Sequence, residues 1–326
     1  MGCNTWWIRD DYWFIYEQHY NQDFYWLLQS IGGPKTTNTR IPSMIIYFPL
    51  FLADTTVNGN IGLTRLTTVI QNCQNYGFQP ILFLGRPEFY GVGNNSQTHD
   101  IVHDSAARTY FINLLQNILS LSIVQSLVQH ISVYWLGAAY FCVGTPTVCT
   151  TQDIYNITQD IQTTVHKYGL TYLQHVDGPF WDGCYPAPCP NWNVHGYNPQ
   201  SLTSVDGILA ESWVQGSLVN AVNIFLNATH ISNTSFLLLT DVPNCDLYPS
   251  NHTCSTGSLS TDVSTWFNWL PQMNLNSNTW GVWSGIDGAI NIINPTTDGN
   301  YYGDVLSTGN GLTNKGTLHH NQAIKT

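Results

Sequence analysis

Charged side chains are scarce in this chain of 326 residues: they make up 9% of it, where soluble domains carry about 25%. Nine residues are Lys or Arg, they form no cluster, and the formal net charge at pH 7 is -11. Nucleic acid and anionic membranes need a basic surface, so we expect neither as a partner. Because few groups can become positive in acid, charge repulsion stays limited there, which favours an acid-stable protein.

Long apolar runs and cofactor-binding patterns are also missing. The longest strongly apolar run, residues 44–53, is shorter than the roughly 20 residues that a membrane-spanning helix needs. No HExxH or CxxC pair suggests zinc, so we expect no metal and no cofactor. No GxSxG elbow supports a serine hydrolase. No basic and apolar leader opens the chain, which fits a form that has been trimmed to the mature protein.

Cysteines and glycosylation sequons, by contrast, are plentiful, and together they indicate a secreted protein. Aromatic residues make up 13% of the chain, which favours a packed core over disorder. The predicted N-glycosylation sites are Asn94, Asn156, Asn227, Asn233 and Asn251. Three cysteine pairs each enclose a short loop after a predicted strand, and the fourth pair follows by elimination; free buried thiols are the alternative. The predicted disulfides are Cys142–Cys149, Cys184–Cys189, Cys245–Cys254 and Cys3–Cys73.

Short apolar runs alternate with segments of helical period along most of the chain. The predicted strands cover residues 5–8, 41–52, 80–84, 131–136, 170–176, 207–210, 236–240 and 280–283. Predicted helices cover residues 12–31, the segment around Cys73 up to Gly77, residues 105–130, the segment that ends at Gly169, the segment around 218–225, and residues 262–270. This order predicts an α/β protein, a (β/α)₈ TIM barrel in a single domain over residues 1–326 with long βα loops. One such loop is the proline-rich stretch 184–203, and a polar, irregular segment begins at about residue 290. An open, doubly wound sheet is the alternative.

Acidic residues gather where the predicted strands end. In a barrel of this class the carboxyl ends of the strands form the active-site face. Glycoside hydrolysis needs two carboxyl groups there, one to protonate the leaving oxygen and one to act as nucleophile or to activate water. We predict Glu211 and Asp177 as the catalytic residues, with Asp241 and Glu88 as further candidates. For Asp241 a helix cap is an equally good reading.

Aromatic and polar residues at the same strand ends are typical of a sugar-binding site, because aromatic rings stack on the C–H faces of sugars. The predicted substrate-binding residues are Trp181, Trp213, Trp283, Tyr140, His175, Asp182 and Asp287. Asp182 and Asp287 have helix capping or loop attachment as their alternative reading. His175 has three readings: it positions a sugar hydroxyl, it modulates Asp177, or it packs in the core.

The strand–helix order, with Trp283 at the end of the eighth strand, resembles the clan of retaining barrel glycosidases. The resemblance implies an acid/base Glu at the end of the fourth strand and a nucleophilic Glu at the end of the seventh. This chain has Ala138 and Ala139 at the first position and Asp241 at the second. Either another strand end supplies the acid, or the protein is a non-catalytic relative, or alanine has replaced a catalytic acid.

The sequence therefore predicts a glycoside hydrolase that cleaves a polysaccharide. The many Trp and Tyr residues favour an extended groove, as in an endo-acting β-glucanase. The composition is similar to extracellular proteins of thermoacidophilic archaea, so we also expect thermostability. The alternative is a carbohydrate-binding or cell-surface barrel without catalysis. Retention or inversion, and the oligomeric state, stay open.

Overall fold

The structure, a computed structural model, describes only part of the chain. The described residues are 5–9, 43–75, 77–85, 101–133, 151–176, 205–210, 236–240, 281–285, 306–307 and 311–312. Between residues 43 and 176 its strands alternate with helices, and the strands are short, within the usual range for globular proteins. None of the helices in these stretches is long and apolar enough to cross a bilayer.

Eight parallel strands form the centre of the fold. Each strand pairs with the next one along the chain, and the eighth also pairs with the first, so the sheet closes on itself. The strands are β1 (Thr5–Arg9), β2 (Ser43–Pro49), β3 (Gln79–Gly85), β4 (His130–Val133), β5 (Thr171–Val176), β6 (Gly207–Ala210), β7 (Phe236–Thr240) and β8 (Gly281–Gly285). A short antiparallel pair, β9 (Leu306–Ser307) and β10 (Gly311–Leu312), lies within the C-terminal segment that we predicted to be irregular.

Helices connect β2 to β3, β3 to β4 and β4 to β5. They are α1 (Thr55–Asn58), α2 (Ile61–Asn75), α3 (Ser105–Leu119), α4 (Ser122–Leu127) and α5 (Thr151–His166), and a 3-10 turn covers Leu50–Ala53. The predicted α/β class with a parallel sheet is confirmed. The predicted helices at 12–31, 218–225 and 262–270 and the loop 184–203 lie outside the described residues, so the complete (β/α)₈ arrangement stays a prediction.

Local chemistry explains where these helices begin and end. Asp54 and Asp104 sit at the N-caps of α1 and α3, where each carboxylate accepts hydrogen bonds from two backbone N–H groups of the first turn. Gly77 and Gly169 have φ angles of 85° and 74°, a region that glycine enters at little cost. Both glycines come shortly after the end of a helix, as the sequence predicted.

Two predicted elements are each split in two. The run 41–52 is a strand only as far as Pro49 and then forms the 3-10 turn. The predicted helix 105–130 breaks at Ser120 and Leu121, where Leu121 is extended, and His130 already belongs to β4. A continuous helix over 105–130 would be roughly 39 Å long, about twice the height of the strands, so a compact return to the sheet requires the break.

The apolar face of α2 packs on the sheet and includes Cys73, which is fully buried beside Val69 and Ile70. Cys73 is a free thiol, so the structure does not contain the predicted bond from Cys73 to Cys3, and this corrects that pairing. Burial raises the pKa of the Cys73 thiol. The elimination argument failed because a cysteine on the core face of an amphipathic helix serves as a small apolar residue.

Candidate active site at the carboxyl ends of the strands

Hydrogen bonds and a ring contact show which way the side chains of β5 face. Gln174 accepts a hydrogen bond from Thr158 of α5, at 3.2 Å between oxygens, so this side of β5 faces the helix layer. Side chains alternate along a strand, so His175 faces the interior of the closed sheet. There its ring lies 4.9 Å, centroid to centroid, from Phe83 of β3, a strand that is separated from β5 by β4. The contact therefore crosses the interior.

His175 is fully buried. A side chain with no exposed surface does not contact a sugar held at the mouth of the sheet. Of the three predicted readings of His175, burial against Phe83 favours core packing or an indirect effect on a neighbouring carboxylate.

The predicted catalytic residues begin where the described strands stop. Val176 of β5 pairs with Ala210 of β6, and Ala210 pairs with Leu239 of β7. Asp177 and Glu211 are the next residues after the first of these pairs. Their side chains are not among the described residues, and neither are those of the other predicted site residues apart from His175, Asn156 and Cys73. That group comprises Asp241, Glu88, Trp181, Trp213, Tyr140, Asp182, Asp287, Ala138 and Ala139, together with the cysteines of the three loop disulfides and Asn94, Asn227, Asn233 and Asn251.

Two predicted residues lie on described backbone. Trp283 belongs to β8, where it pairs with Thr240 at the carboxyl end of β7. Asn156 lies on α5 with an exposed side chain, and Tyr155 beside it is 37% exposed. An exposed asparagine is compatible with the predicted glycan.

A carboxylate that the sequence analysis missed follows β2. Asp54 is only 5% exposed, and both of its carboxylate oxygens accept hydrogen bonds, from Thr56 and Val57 on one side and from the Tyr110 hydroxyl on the other. Burial raises the pKa of Asp54, but these hydrogen bonds outweigh it, so the pKa lies below its ordinary value of 3.8. The Asp54 charge also raises the pKa of Tyr110, on top of the larger effect of burial.

Asp54 is thus a cap and an anchor, not a carboxylate free to transfer protons. Asn117 of α3 reinforces the same connection by donating to the Ala53 carbonyl at 3.0 Å. The helix cap could have been found from the sequence, because Asp54 and two threonines follow an apolar run. The partners on α3 could not, since they lie more than 50 residues further along the chain.

The opposite, amino end of the sheet holds a polar cluster around His130, Thr171, His166 and Asp206. His130 Nδ1 lies 2.5 Å from Thr171 Oγ1, and this hydroxyl donates its proton to the Gln129 carbonyl. The single hydroxyl proton is therefore used, so Nδ1 of His130 carries the hydrogen and donates to Thr171. Burial lowers the pKa of His130 to about 4, although the nearby Asp206 charge acts in the other direction.

Asp206 connects the elements on either side of it. Its Oδ2 accepts from the Tyr172 backbone N–H at 2.7 Å and lies 2.7 Å from Nε2 of His166 in the last turn of α5. This ties the start of β5 to the end of α5 and to the residue before β6. The amino end is a structural cluster, as is usual for that end of a parallel barrel.

No metal centre appears in the described stretches, where no group of three or more His, Cys, Asp or Glu side chains is arranged to hold an ion.

Comparison with known proteins gives no match at the level of sequence, neither to any protein-family model nor to any curated protein. At the level of structure, the fold is that of enzymes described as family 5 glycoside hydrolases, and the match covers nearly the whole chain.

Three of these solved structures illustrate the likeness. A GH5_18 protein from Streptomyces cattleya, in complex with GlcNAc, has a TM-score of 0.64 at 9% identity and covers 99% of this chain and 80% of its own. A GH5_18 protein from Bifidobacterium longum has a TM-score of 0.63 at 12% identity and covers 100% and 79%. An exo-β-1,4-mannosidase from an Opitutaceae bacterium has a TM-score of 0.60 at 12% identity and covers 95% and 56%. At these identities the likeness shows the fold alone.

Proposed function

We propose that the protein is a glycoside hydrolase with a (β/α)₈ barrel, and that Asp177 and Glu211 form its catalytic pair. The observation that carries this proposal is the register of β5 and β6, in which Val176 pairs with Ala210 immediately before the two acids. The likeness of the fold to family 5 glycoside hydrolases supports the same class of enzyme.

The register leads to a geometric expectation for the pair. Asp177 follows His175 by two residues, so if β5 continues past Val176 we expect the alternation of side chains to direct Asp177 to the same interior side. If the pairing of Val176 with Ala210 continues by one more residue, Glu211 would lie level with Asp177. Neighbouring strands lie about 4.8 Å apart, and retaining glycosidases hold their two carboxyl groups about 5 Å apart. We therefore propose a double displacement with retention: one carboxylate forms the glycosyl-enzyme bond, and the other first protonates the leaving oxygen and then activates water.

Asp241 ranks below this pair on the same argument. It directly follows Thr240, and the register places Thr240, not Asp241, level with the position after Ala210. If the alternation continues, Asp241 faces the opposite side of its strand from Asp177 and Glu211. Glu88 follows the end of β3 at Gly85 by too many residues for the register to place it.

For the substrate we propose a β-1,4-linked glucan or mannan chain or a fragment of one. The abundance of Trp and Tyr supports an extended groove for an endo-acting enzyme, with Trp181, Trp213, Trp283 and Tyr140 stacking on sugar rings and Asp182 and Asp287 binding hydroxyls. The solved neighbours support mannose rather than glucose as the sugar, since one is an exo-β-1,4-mannosidase and others were solved with Manβ1-4GlcNAc.

We further propose that the protein is secreted, glycosylated and acid-stable. The exposed position of Asn156 on α5 supports a glycan there. The low charge content supports solubility without strong self-repulsion in acid. The three loop disulfides, Cys142–Cys149, Cys184–Cys189 and Cys245–Cys254, remain part of this proposal.

The second candidate is a carbohydrate-binding barrel without catalysis. It is favoured by Ala138 and Ala139, which follow the described part of β4 in the sequence. The retaining barrel glycosidases that this chain resembles carry their acid/base Glu at the end of that strand.

Turnover of defined glycosides by single variants separates the two candidates. The wild type, Asp177→Asn, Glu211→Gln and the control Asp160→Asn, an exposed carboxylate on α5, are assayed on β-glucan, β-mannan, Manβ1-4GlcNAc and aryl β-glycosides. We expect the two site variants to lose about 10²- to 10⁴-fold in kcat while they still bind the glycan, and the control to keep its rate. A wild type that binds a glycan but hydrolyses none of these compounds would reject the enzyme and favour the binding protein.

A further inference from the structure

A buried glutamine braces the end of β5, just before the proposed catalytic Asp177. Gln174 has no exposed surface. Its Oε1 accepts from the hydroxyl groups of Thr158 on α5, at 3.2 Å, and of Tyr172, at 3.0 Å. Its Nε2 donates to the backbone carbonyl of His175 at 2.9 Å. Three hydrogen bonds thus converge on one side chain between the helix layer and the strand.

In these three hydrogen bonds the roles of donor and acceptor are fixed. Thr158 and Tyr172, which are 1% and 0% exposed, donate to the amide oxygen of Gln174, so the amide nitrogen is turned toward the strand. Every polar atom in these hydrogen bonds is buried, and a buried polar group without its partner costs about 1–3 kcal/mol. Packing alone would be served better by an apolar side chain, so the network is suited to fixing an orientation.

The bond to His175 falls one residue beyond the level of the last described residue of β4. β4 as described ends at Val133, which pairs with Gln174. Beyond that level, the described partners of β5 are on β6 alone, where His175 and Val176 pair with Leu209 and Ala210. Gln174 attaches its own strand to α5 at this step, through the carbonyl of the next residue.

We propose that Gln174 is a positioning residue: it holds the last residues of β5 so that Asp177 meets Glu211 in reacting geometry. The inference rests on the proposed function, because it assigns a task to the strand that carries one proposed catalytic carboxylate. Gln174 lies behind the strand on the helix side, touches no substrate and acts through the backbone of His175.

The experiment compares Gln174→Met with Thr158→Val. Methionine has nearly the length of glutamine but removes all three hydrogen bonds, whereas valine removes one donor to Oε1 and leaves the bond from Nε2 to His175. The proteins are made in a host without N-glycosylation, because Thr158 is also the third residue of the Asn156 sequon. Steady-state kinetics are measured below the unfolding temperature of every variant.

We expect Gln174→Met to lower kcat on the order of 10²-fold with KM changed by less than about twofold, the pattern of misplaced reacting groups. Thr158→Val should lose thermal stability but keep kcat within about threefold. Hydrogen exchange, which requires no substrate, should show faster exchange over residues 175–178 in Gln174→Met than in Thr158→Val.

A second variant, Gln174→Glu, adds a pH profile that simple packing would not produce. Its protonated carboxyl group can still accept from Thr158 and donate to the His175 carbonyl, but the ionised form cannot donate. The ratio of its kcat to that of the wild type should fall as pH rises, while the ratio for Thr158→Val stays constant. This variant also serves if Gln174→Met does not fold.

The outcomes separate the two proposals. A folded Gln174→Met with wild-type kcat, or a flat ratio for Gln174→Glu, overturns the positioning role and leaves the glycosidase standing. A wild type without turnover on any glycoside rejects the proposed function, and with it the link to catalysis; the exchange data then decide only whether Gln174 anchors the strand.

Discussion

The two ends of the sheet use a buried histidine differently. At the amino end, His130 is 1% exposed, donates to Thr171 and lies near Asp206, which in turn binds α5 and β5. Toward the carboxyl end, His175 has no exposed surface and lies against Phe83 across the interior. The amino end is cross-linked by polar contacts, whereas the described part of the carboxyl end is braced from behind, through Gln174. In the proposed enzyme, the polar contacts that stabilise the fold and the proposed catalytic pair therefore lie at opposite ends of the same strands.

The largest expected effect is a crossover between the two ends. Glu211→Gln should lower kcat by about 10²- to 10⁴-fold with little change in the free energy of unfolding. Asp206→Asn should do the reverse, with a loss of about 1–3 kcal/mol in the free energy of unfolding and an unchanged kcat, because it weakens the bonds to Tyr172 and His166. Kinetics and urea unfolding of both variants test this. If Asp206→Asn instead lost activity at full stability, the division between the ends would be wrong.

His130 predicts a pH dependence of stability that belongs to the amino end. Its pKa in the folded protein is about 4, below the ordinary 6.5, so the unfolded chain takes up the proton first as pH falls. The contribution of His130 is complete above about pH 6.5 and is lost as pH falls through 4, on the order of 3 kcal/mol in all. Urea unfolding at several pH values, for the wild type and His130→Gln, measures it. A variant with the same slope as the wild type over this range would contradict the assignment.

Asp54 acts in the same direction at lower pH. Its pKa in the folded protein lies below 3.8, so its contribution is present above that pH and is lost as pH falls further. The proposed acid tolerance must therefore come from the limited positive charge and not from these two groups.

Gly62→Ala tests whether the carboxyl end also contributes to stability. A Cβ atom at Gly62 would lie 2.2 Å from the carbonyl oxygen of Leu52, in the turn that follows β2. The turn or the helix would have to shift, at a cost of about 1–3 kcal/mol. Thermal unfolding of Gly62→Ala against Gly59→Ala sharpens the comparison, because Gly59 has open space but a φ of 55°, so backbone strain is its sole penalty. Equal losses in the two variants would mean that the close approach of α2 to Leu52 is easily relieved.

The smallest effect is expected on the helix surface, away from both ends. Arg108 of α3 lies 3.2 Å from Asp160 of α5, and the Asp160 side chain is 51% exposed. Asp160→Asn should change the free energy of unfolding by less than about 1 kcal/mol, since exposed ion pairs contribute little. A larger loss in urea unfolding would show that the helix layer shares the stabilising work of the amino end.

Local pattern predicted elements well where one strand or helix could be read by itself. The bounds of β6 and β7 are those predicted, and Gly77 and Gly169 follow their helices as expected. The errors at Pro49 and at Ser120–Leu121 arose because apolar residues continue past a break that the geometry of the sheet requires.

The sequence could predict where along the chain the candidate site lies, but not the side-chain contacts around it. Acidic residues after β5 and β6 can be found by locating the strand ends, and the register pairs the two residues that directly precede them, Val176 and Ala210. The link from Asp54 to Tyr110 could not be found in this way, because Tyr110 lies on a helix 56 residues further along the chain. The brace by Gln174 could not be found either, because it depends on how α5 packs against β5, which the sequence does not show. The spacing of apolar residues does not show that a Gln or Asp is buried, because such a residue is buried only where hydrogen-bond partners meet it in the fold.

The most direct test of the account is to trap the glycosyl-enzyme. The protein is incubated with 2-deoxy-2-fluoro-β-glucosyl and -mannosyl fluorides, and the labelled peptide is mapped by mass spectrometry. A retaining enzyme with the proposed pair should gain one sugar, attached to Asp177 or Glu211, and the label should be absent when the labelled residue is replaced by its amide. A label on Asp241 or Glu88, or turnover with inversion and no label, would contradict it.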